Sequence, residues 1–94
     1  MDFEFEWDDV KNNINKNKHG IDFIDAIRVF YDEMKVTAYD ARNEYGEDRY
    51  QVIGMSYERL LFVVYTERHE NTIRIISARK ADKRERDAYM RGAY

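Results

Sequence analysis

Leu60-Leu61-Phe62-Val63-Val64-Tyr65-Thr66 is the longest apolar run in the chain. An unbroken apolar run of this length reads as a strand covered on both faces, hence as the centre of a sheet. Two further strand patterns flank it. Arg49-Tyr50-Gln51-Val52-Ile53-Gly54-Met55 precedes it, and Thr72-Ile73-Arg74-Ile75-Ile76-Ser77-Ala78 follows it. The links between them, Ser56–Glu58 and Arg68–Asn71, are short enough to demand antiparallel hairpins.

Upstream, Phe3-Glu4-Phe5-Glu6-Trp7 alternates aromatic and acidic residues, the mark of a half-buried strand. Asp8 is a natural N-cap, and Asp9 adds negative charge to a first helical turn. A helix then runs to about Lys18, with Val10 and Ile14 four residues apart, and Gly20 stops it. It is polar and Asn-rich, so it belongs on the surface. Asp22 caps a second helix over 23–31, whose apolar face is Phe23, Ile24, Ala26, Ile27 and Phe30. Val36-Thr37-Ala38-Tyr39 reads as a short extended piece and Asn43-Glu44-Tyr45-Gly46 as a turn. Downstream, Asp82 with Glu85 three residues later forms a capping box for a C-terminal helix. The order β-α-α-β-β-β-α predicts an α+β fold. One antiparallel sheet carries helices packed against it on one face, and residues 1–94 form a single domain.

The chain has 94 residues, 44% of them hydrophobic and 37% charged, which is the composition of a small globular domain with a very polar surface. Cys is absent, which removes disulfide scaffolds, thiolate metal sites and cysteine nucleophiles. No apolar run approaches the ~18 residues of a membrane span. The acidic N-terminus is neither a signal nor a transit peptide, so the expected location is cytoplasmic.

The net charge of −3 hides an asymmetry. Residues 1–50 carry 7 Lys/Arg against 13 Asp/Glu, whereas Arg68–Arg91 carries 8 against 4. A basic last third suggests a surface facing a polyanion. Metal hydrolysis is poorly supported: His19 and His69 share no ligand spacing, and no metal or other cofactor is implied. No Gly-rich phosphate loop or nucleophilic Ser elbow is present. What remains is His19 beside Lys18 at a helix end, with several Arg near strand ends. That set suits metal-free cleavage of RNA. A base removes the 2′-hydroxyl proton, cations stabilise the phosphorane, and an acid protonates the 5′-oxygen. Arg fits the second task because its planar fork matches phosphate oxygens.

Each residue also has a plainer role. A His in a last helical turn can simply compensate the helix dipole. Arg74, between Ile73 and Ile75, can pair across the sheet with an acid such as Glu67. Arg68 and His69 sit at a hairpin turn, Arg79 and Lys80 can be solvated, and Tyr89 falls on the inner face of the last helix.

Several stretches together resemble the BrnT toxin family. They are Phe5-Glu6-Trp7-Asp8, Lys18-His19-Gly20, Glu47-Asp48-Arg49, and Ile73-Arg74-Ile75-Ile76-Ser77-Ala78-Arg79-Lys80-Ala81 followed by Arg84-Glu85-Arg86. The resemblance covers nearly the whole chain in order. It implies a RelE-like fold and a ribonuclease toxin of a type II toxin–antitoxin module that cleaves RNA and inhibits translation. It also implies a small cognate BrnA-like antitoxin of ribbon-helix-helix type, which binds DNA and joins the toxin in a hetero-oligomeric complex. Carried onto these residues, it makes His19, Arg79 and Arg68 candidates for catalysis. Lys18, Arg74, Lys80 and Arg84 become candidates for holding the substrate. Arg68 and Arg79 fall at opposite ends of two paired strands, roughly 20 Å apart at ~3.3 Å per residue, so one phosphate cannot easily touch both.

Two readings follow from different classes. One is a metal-independent endoribonuclease toxin. The other is a non-catalytic module whose basic face docks an antitoxin or nucleic acid. The Lys18-His19 pair favours the enzyme, because binding alone needs no imidazole there.

Overall fold

The computed structural model describes residues 2–42 and 46–94. Among them five strands form one sheet: β1 (Glu4–Glu6), β2 (Val36–Asp40), β3 (Arg49–Ser56), β4 (Arg59–His69) and β5 (Thr72–Lys80). Their order is β1-β5-β4-β3-β2. The helices are α1 (Asp9–His19), α2 (Phe23–Ala26) and α3 (Lys83–Arg91), and α2 runs on as a 3₁₀ helix over Ile27–Tyr31. The class is α+β. No helix among the described residues is long and apolar enough to cross a membrane.

The apolar run lies where its composition requires. β4 is central, and its residues 61 to 66 are all buried. Leu61, Val63 and Tyr65 enter one core, with Phe23, Ala26, Val29 and Phe30 from α2 and the 3₁₀ helix. Phe62 and Val64 enter a second core on the other face, with Ile53, Ala81 and Ala88. The helices therefore cover both faces, not one: α3 lies opposite α2. Its own apolar spacing does not determine that choice. The corner after β5 does, where the Ala81 N–H donates to the Leu60 carbonyl (2.9 Å) and Asp82 starts the helix at once. At its far end the Tyr89 hydroxyl donates to Asp32 Oδ2 (2.6 Å) and fastens α3 to the sheet edge.

The sheet is mixed, which corrects the expectation of a wholly antiparallel one. β3, β4 and β5 are joined by tight hairpins and run antiparallel, but β1 pairs with β5 in parallel, Glu4 with Thr72 and Glu6 with Arg74. No tight turn links β1 to β5, so nothing local fixes their relative direction. Val36–Asp40 is a full edge strand against β3, one strand more than the expected order held. Asn43-Glu44-Tyr45, expected as a turn, lies outside the described residues.

α1 begins and ends as its caps dictate. Asp8 accepts from the N–H groups of Val10 (2.8 Å) and Lys11 (3.2 Å), and Gly20 takes the left-handed conformation at φ 72°. Its orientation reverses the apolar reading. Val10 and Ile14 are 67% and 58% exposed, whereas Asn15 is buried. The helix docks through amides: Asn15 bonds to Ile21 and to Ala78 of β5, and Asn12 accepts from the Phe23 N–H (2.9 Å) and donates to Asp22 (3.0 Å). The Asn-rich composition marks helix docking here, not simple solvation.

Candidate active site

β5 carries most of the candidate residues, and an irregularity decides which way they face. Val64 pairs with Ser77 but Tyr65 pairs with Ile75, so Ile76 is an extra residue, a β-bulge. Arg74 and Arg79 are an odd number of residues apart and would face opposite sides of a regular strand. The bulge shifts the phase by one. Arg74 then stands opposite Thr66 and Arg79 opposite Phe62, both on the side of the sheet that carries α3. Ser77, opposite Val64, shares that side.

α1 brings His19 to the β5 edge of this surface. Lys18 and His19 line a hollow of about 200 Å³ together with Ile76 and Ser77. Burial lowers the His19 pKa below the ordinary 6.5, and the Lys18 ammonium and Arg79 guanidinium lower it further. The imidazole is thus neutral at pH 7 and stands in the field of two cations. This is the state a general base needs.

Arg79 is held rigidly. Its Nη1 and Nη2 each donate to one oxygen of Glu85 (both 2.8 Å), Nη1 also reaches the Lys80 carbonyl (3.1 Å), and the guanidinium lies 4.3 Å from the Phe62 ring centroid. Among the described residues, its Nε–H and second Nη2–H make no hydrogen bond. That remaining edge is a planar fork of the shape that suits a phosphate. Glu85 also closes the capping box of α3, accepting from the Asp82 N–H (2.8 Å), so the helix start positions the arginine.

The other candidates fall into two groups. Arg74 donates to Glu6 (3.0 Å), so its ion pair comes from β1 and not from the neighbouring hairpin strand. Arg68 approaches the same Glu6 (3.9 Å) and also Glu47 (4.0 Å). These two arginines therefore sit together at the β1 end of the surface. Arg84 lines a larger cleft of about 500 Å³ between α3 and the sheet, with Arg79 and Phe62 in its wall and Arg42 and Arg91 beside it. Lys80 ends β5 and is exposed. Lys18 and His19 share the hollow beside β5, Arg79 lies near enough for its charge to act on His19, and Arg68 lies at the far end of the paired strands, as the strand arithmetic required.

The family model described as "Ribonuclease toxin, BrnT, of type II toxin-antitoxin system" matches residues 7–85. The chain belongs to the BrnT family. The 1.1 Å crystal structure of the Brucella abortus ribonuclease toxin BrnT is similar in fold. Its TM-score is 0.66 at 24% identity, with 86% of this chain and 99% of that chain covered. No curated protein matches the chain in sequence.

A ribonuclease toxin of the BrnT family has RNA as its target and an antitoxin as its partner. Against that background the residues missed in the sequence are mostly partners of the cations. Glu85 was visible as a cap, but its grip on Arg79 depends on where α3 folds back. Glu6 was visible as the polar half of an alternating strand, but its two arginines come from residues 68 and 74. Arg42 and Arg91 carried no signal beyond their charge.

Proposed function

We propose that the chain is a metal-independent endoribonuclease in which His19 is the general base. The observation that supports this is the placement of His19 beside Lys18 in the hollow against β5, where burial and the charges of Lys18 and Arg79 favour the neutral imidazole. His19 takes the proton of a ribose 2′-hydroxyl, and the 2′-oxygen attacks the adjacent phosphorus. The P–O5′ bond breaks, and the 5′-oxygen takes a proton from solvent. The products are a 2′,3′-cyclic phosphate and a 5′-hydroxyl, and His19 returns its proton to solvent. The free fork of Arg79 faces the extra negative charge of the phosphorane, and Lys18 orients the incoming backbone. Arg74 and Arg68 hold RNA further along the surface. Arg68 serves there as a substrate contact, because it stands too far from His19 to share a phosphate with it.

In the cell this activity destroys mRNA in the cytoplasm and stops translation, in the manner of a RelE-like toxin. A BrnA-like antitoxin of ribbon-helix-helix type covers Arg79, Lys80 and Arg84 and shuts RNA out. Incubating purified protein with RNA in excess chelator tests the reaction. The expected result is cleavage to cyclic-phosphate ends, reduced about 10²–10⁴-fold in His19→Ala. Undiminished cleavage by a folded His19→Ala protein would overturn the assignment.

A further inference from the structure

We propose that the hollow between α1 and the β5 bulge is a nucleotide subsite, in which Lys11 and Ser77 hold the RNA phosphate next to the scissile one and Ile14 and Ile76 support its nucleoside. The inference rests on the reading of His19 as the base, because it places this nucleotide beside the cleaved bond.

The hollow lies along the α1 face formed by Lys11, Ile14, Asn15 and Lys18, residues spaced at i, i+3, i+4 and i+7. Its far wall is Ile76 and Ser77. Three observations point to an anionic ligand with an apolar part. First, the cations here are available. Arg68, Arg74, Arg79 and Lys16 all carry acidic partners. Among the described residues neither Lys11 nor Lys18 has one, so a phosphate meets them without displacing a carboxylate. Second, Lys11 and Lys18 lie about 10 Å apart along the helix at 1.5 Å per residue. One cation therefore stands by His19 and another further along the same groove. Third, Ile14 is 58% exposed on a helix whose only other apolar residue is Val10, and it borders the hollow with Ile76, the residue the bulge adds. An apolar floor between two free ammonium groups suits a ribose and base flanked by phosphates.

Equilibrium binding of a 2′-O-methyl RNA oligonucleotide tests this, since that probe binds but lacks the attacking hydroxyl. Lys11→Ala is expected to raise the Kd about 5–10-fold and to reduce the slope of log K against log salt by about 0.7, the loss of one phosphate contact. Lys35→Ala, just before β2 at the far edge of the sheet from β5, is the control and is expected to change neither. An unchanged Kd and salt slope in Lys11→Ala would overturn the subsite, as would an equal loss in Lys35→Ala. His19→Ala reads the other assumption: it should reduce cleavage about 10²–10⁴-fold while keeping the parent Kd. If His19→Ala cleaves undiminished but Lys11→Ala still binds weakly, the catalytic reading falls and the subsite stands.

Discussion

The carboxamide of Asn15 pairs with the backbone of Ala78 as a neighbouring strand would. Nδ2 donates to the Ala78 carbonyl (2.8 Å) and Oδ1 accepts from the Ala78 N–H (3.1 Å). β1 covers β5 only from Thr72 to Arg74, so one side chain continues the ladder where the strand has ended. Nδ2 also donates to the Ile21 carbonyl (2.9 Å), which ties the α1–α2 turn to the same point.

Asn15→Ala is therefore expected to be costly for a polar residue on a polar helix. It leaves a buried N–H and two carbonyls without partners, a loss of about 3 kcal/mol or more at roughly 1–3 kcal/mol for each group left bare. Urea denaturation followed by circular dichroism measures it. Asn15→Asp keeps the acceptor and loses the donor, so its cost is expected to be of the same order.

The depressed His19 pKa sets a pH profile. Cleavage, read as kcat/KM, is expected to rise with pH along an acid limb whose midpoint lies below the ordinary 6.5. The same shift contributes to stability with a fixed sign. Because the folded value is below the unfolded one, the unfolded chain binds the proton more readily. The contribution is fully present above 6.5 and is lost as pH falls toward the folded pKa. A comparison of His19→Gln with the parent across pH 5–8 should show the acid limb vanish and the low-pH stability loss shrink.

Gly54 has no room for a methyl group. A Cβ there would stand 2.9 Å from Val29 Cγ1 and 3.0 Å from the Val29 carbonyl oxygen. The side chain can turn away, but the backbone oxygen can do so only by moving the 3₁₀ helix off β3. Gly54→Ala is expected to cost about 1–3 kcal/mol, as overpacking does. A thermal melt that matched the parent's would contradict this contact.

Arg84 shares the cleft beside α3 with Arg79, and exposed Lys80 follows Arg79 at the end of β5. If the antitoxin covers this surface, the double change Lys80→Glu and Arg84→Glu should slow association and weaken the complex about tenfold or more, with stronger dependence on salt in the parent. Titration of toxin with purified antitoxin reads this directly. Unchanged affinity would place the antitoxin elsewhere.

The central features were legible because local chemistry carries them. A run of six apolar residues can only sit inside, and Asp82 with Glu85 specifies a helix start wherever that helix then packs. The unread features depend on pairing between distant segments. That Val10 and Ile14 face solvent follows from Asn15 finding Ala78, 63 residues away. That Arg74 and Arg79 share a side follows from the bulge at Ile76, and strict alternation along β5 gives the opposite answer. His19 and Lys18 were visible as a pair at a helix end. Their meeting with Arg79 became visible only once α1 was docked on β5.

The parallel pairing of the first strand with the last has a consequence for how the protein is made. Glu6 and Arg74 are 68 residues apart, and Asn15 likewise waits for Ala78. A chain emerging from the ribosome N-terminus first cannot dock α1 or complete its sheet until β5 has been synthesised. Throughout most of translation His19 and Arg79 are therefore not yet neighbours, and the ribosome making the toxin carries only an unassembled precursor. On the site proposed for His19 and Arg79, a stop codon anywhere before Thr72 is expected to leave a fragment that lacks β5 and cannot assemble that site.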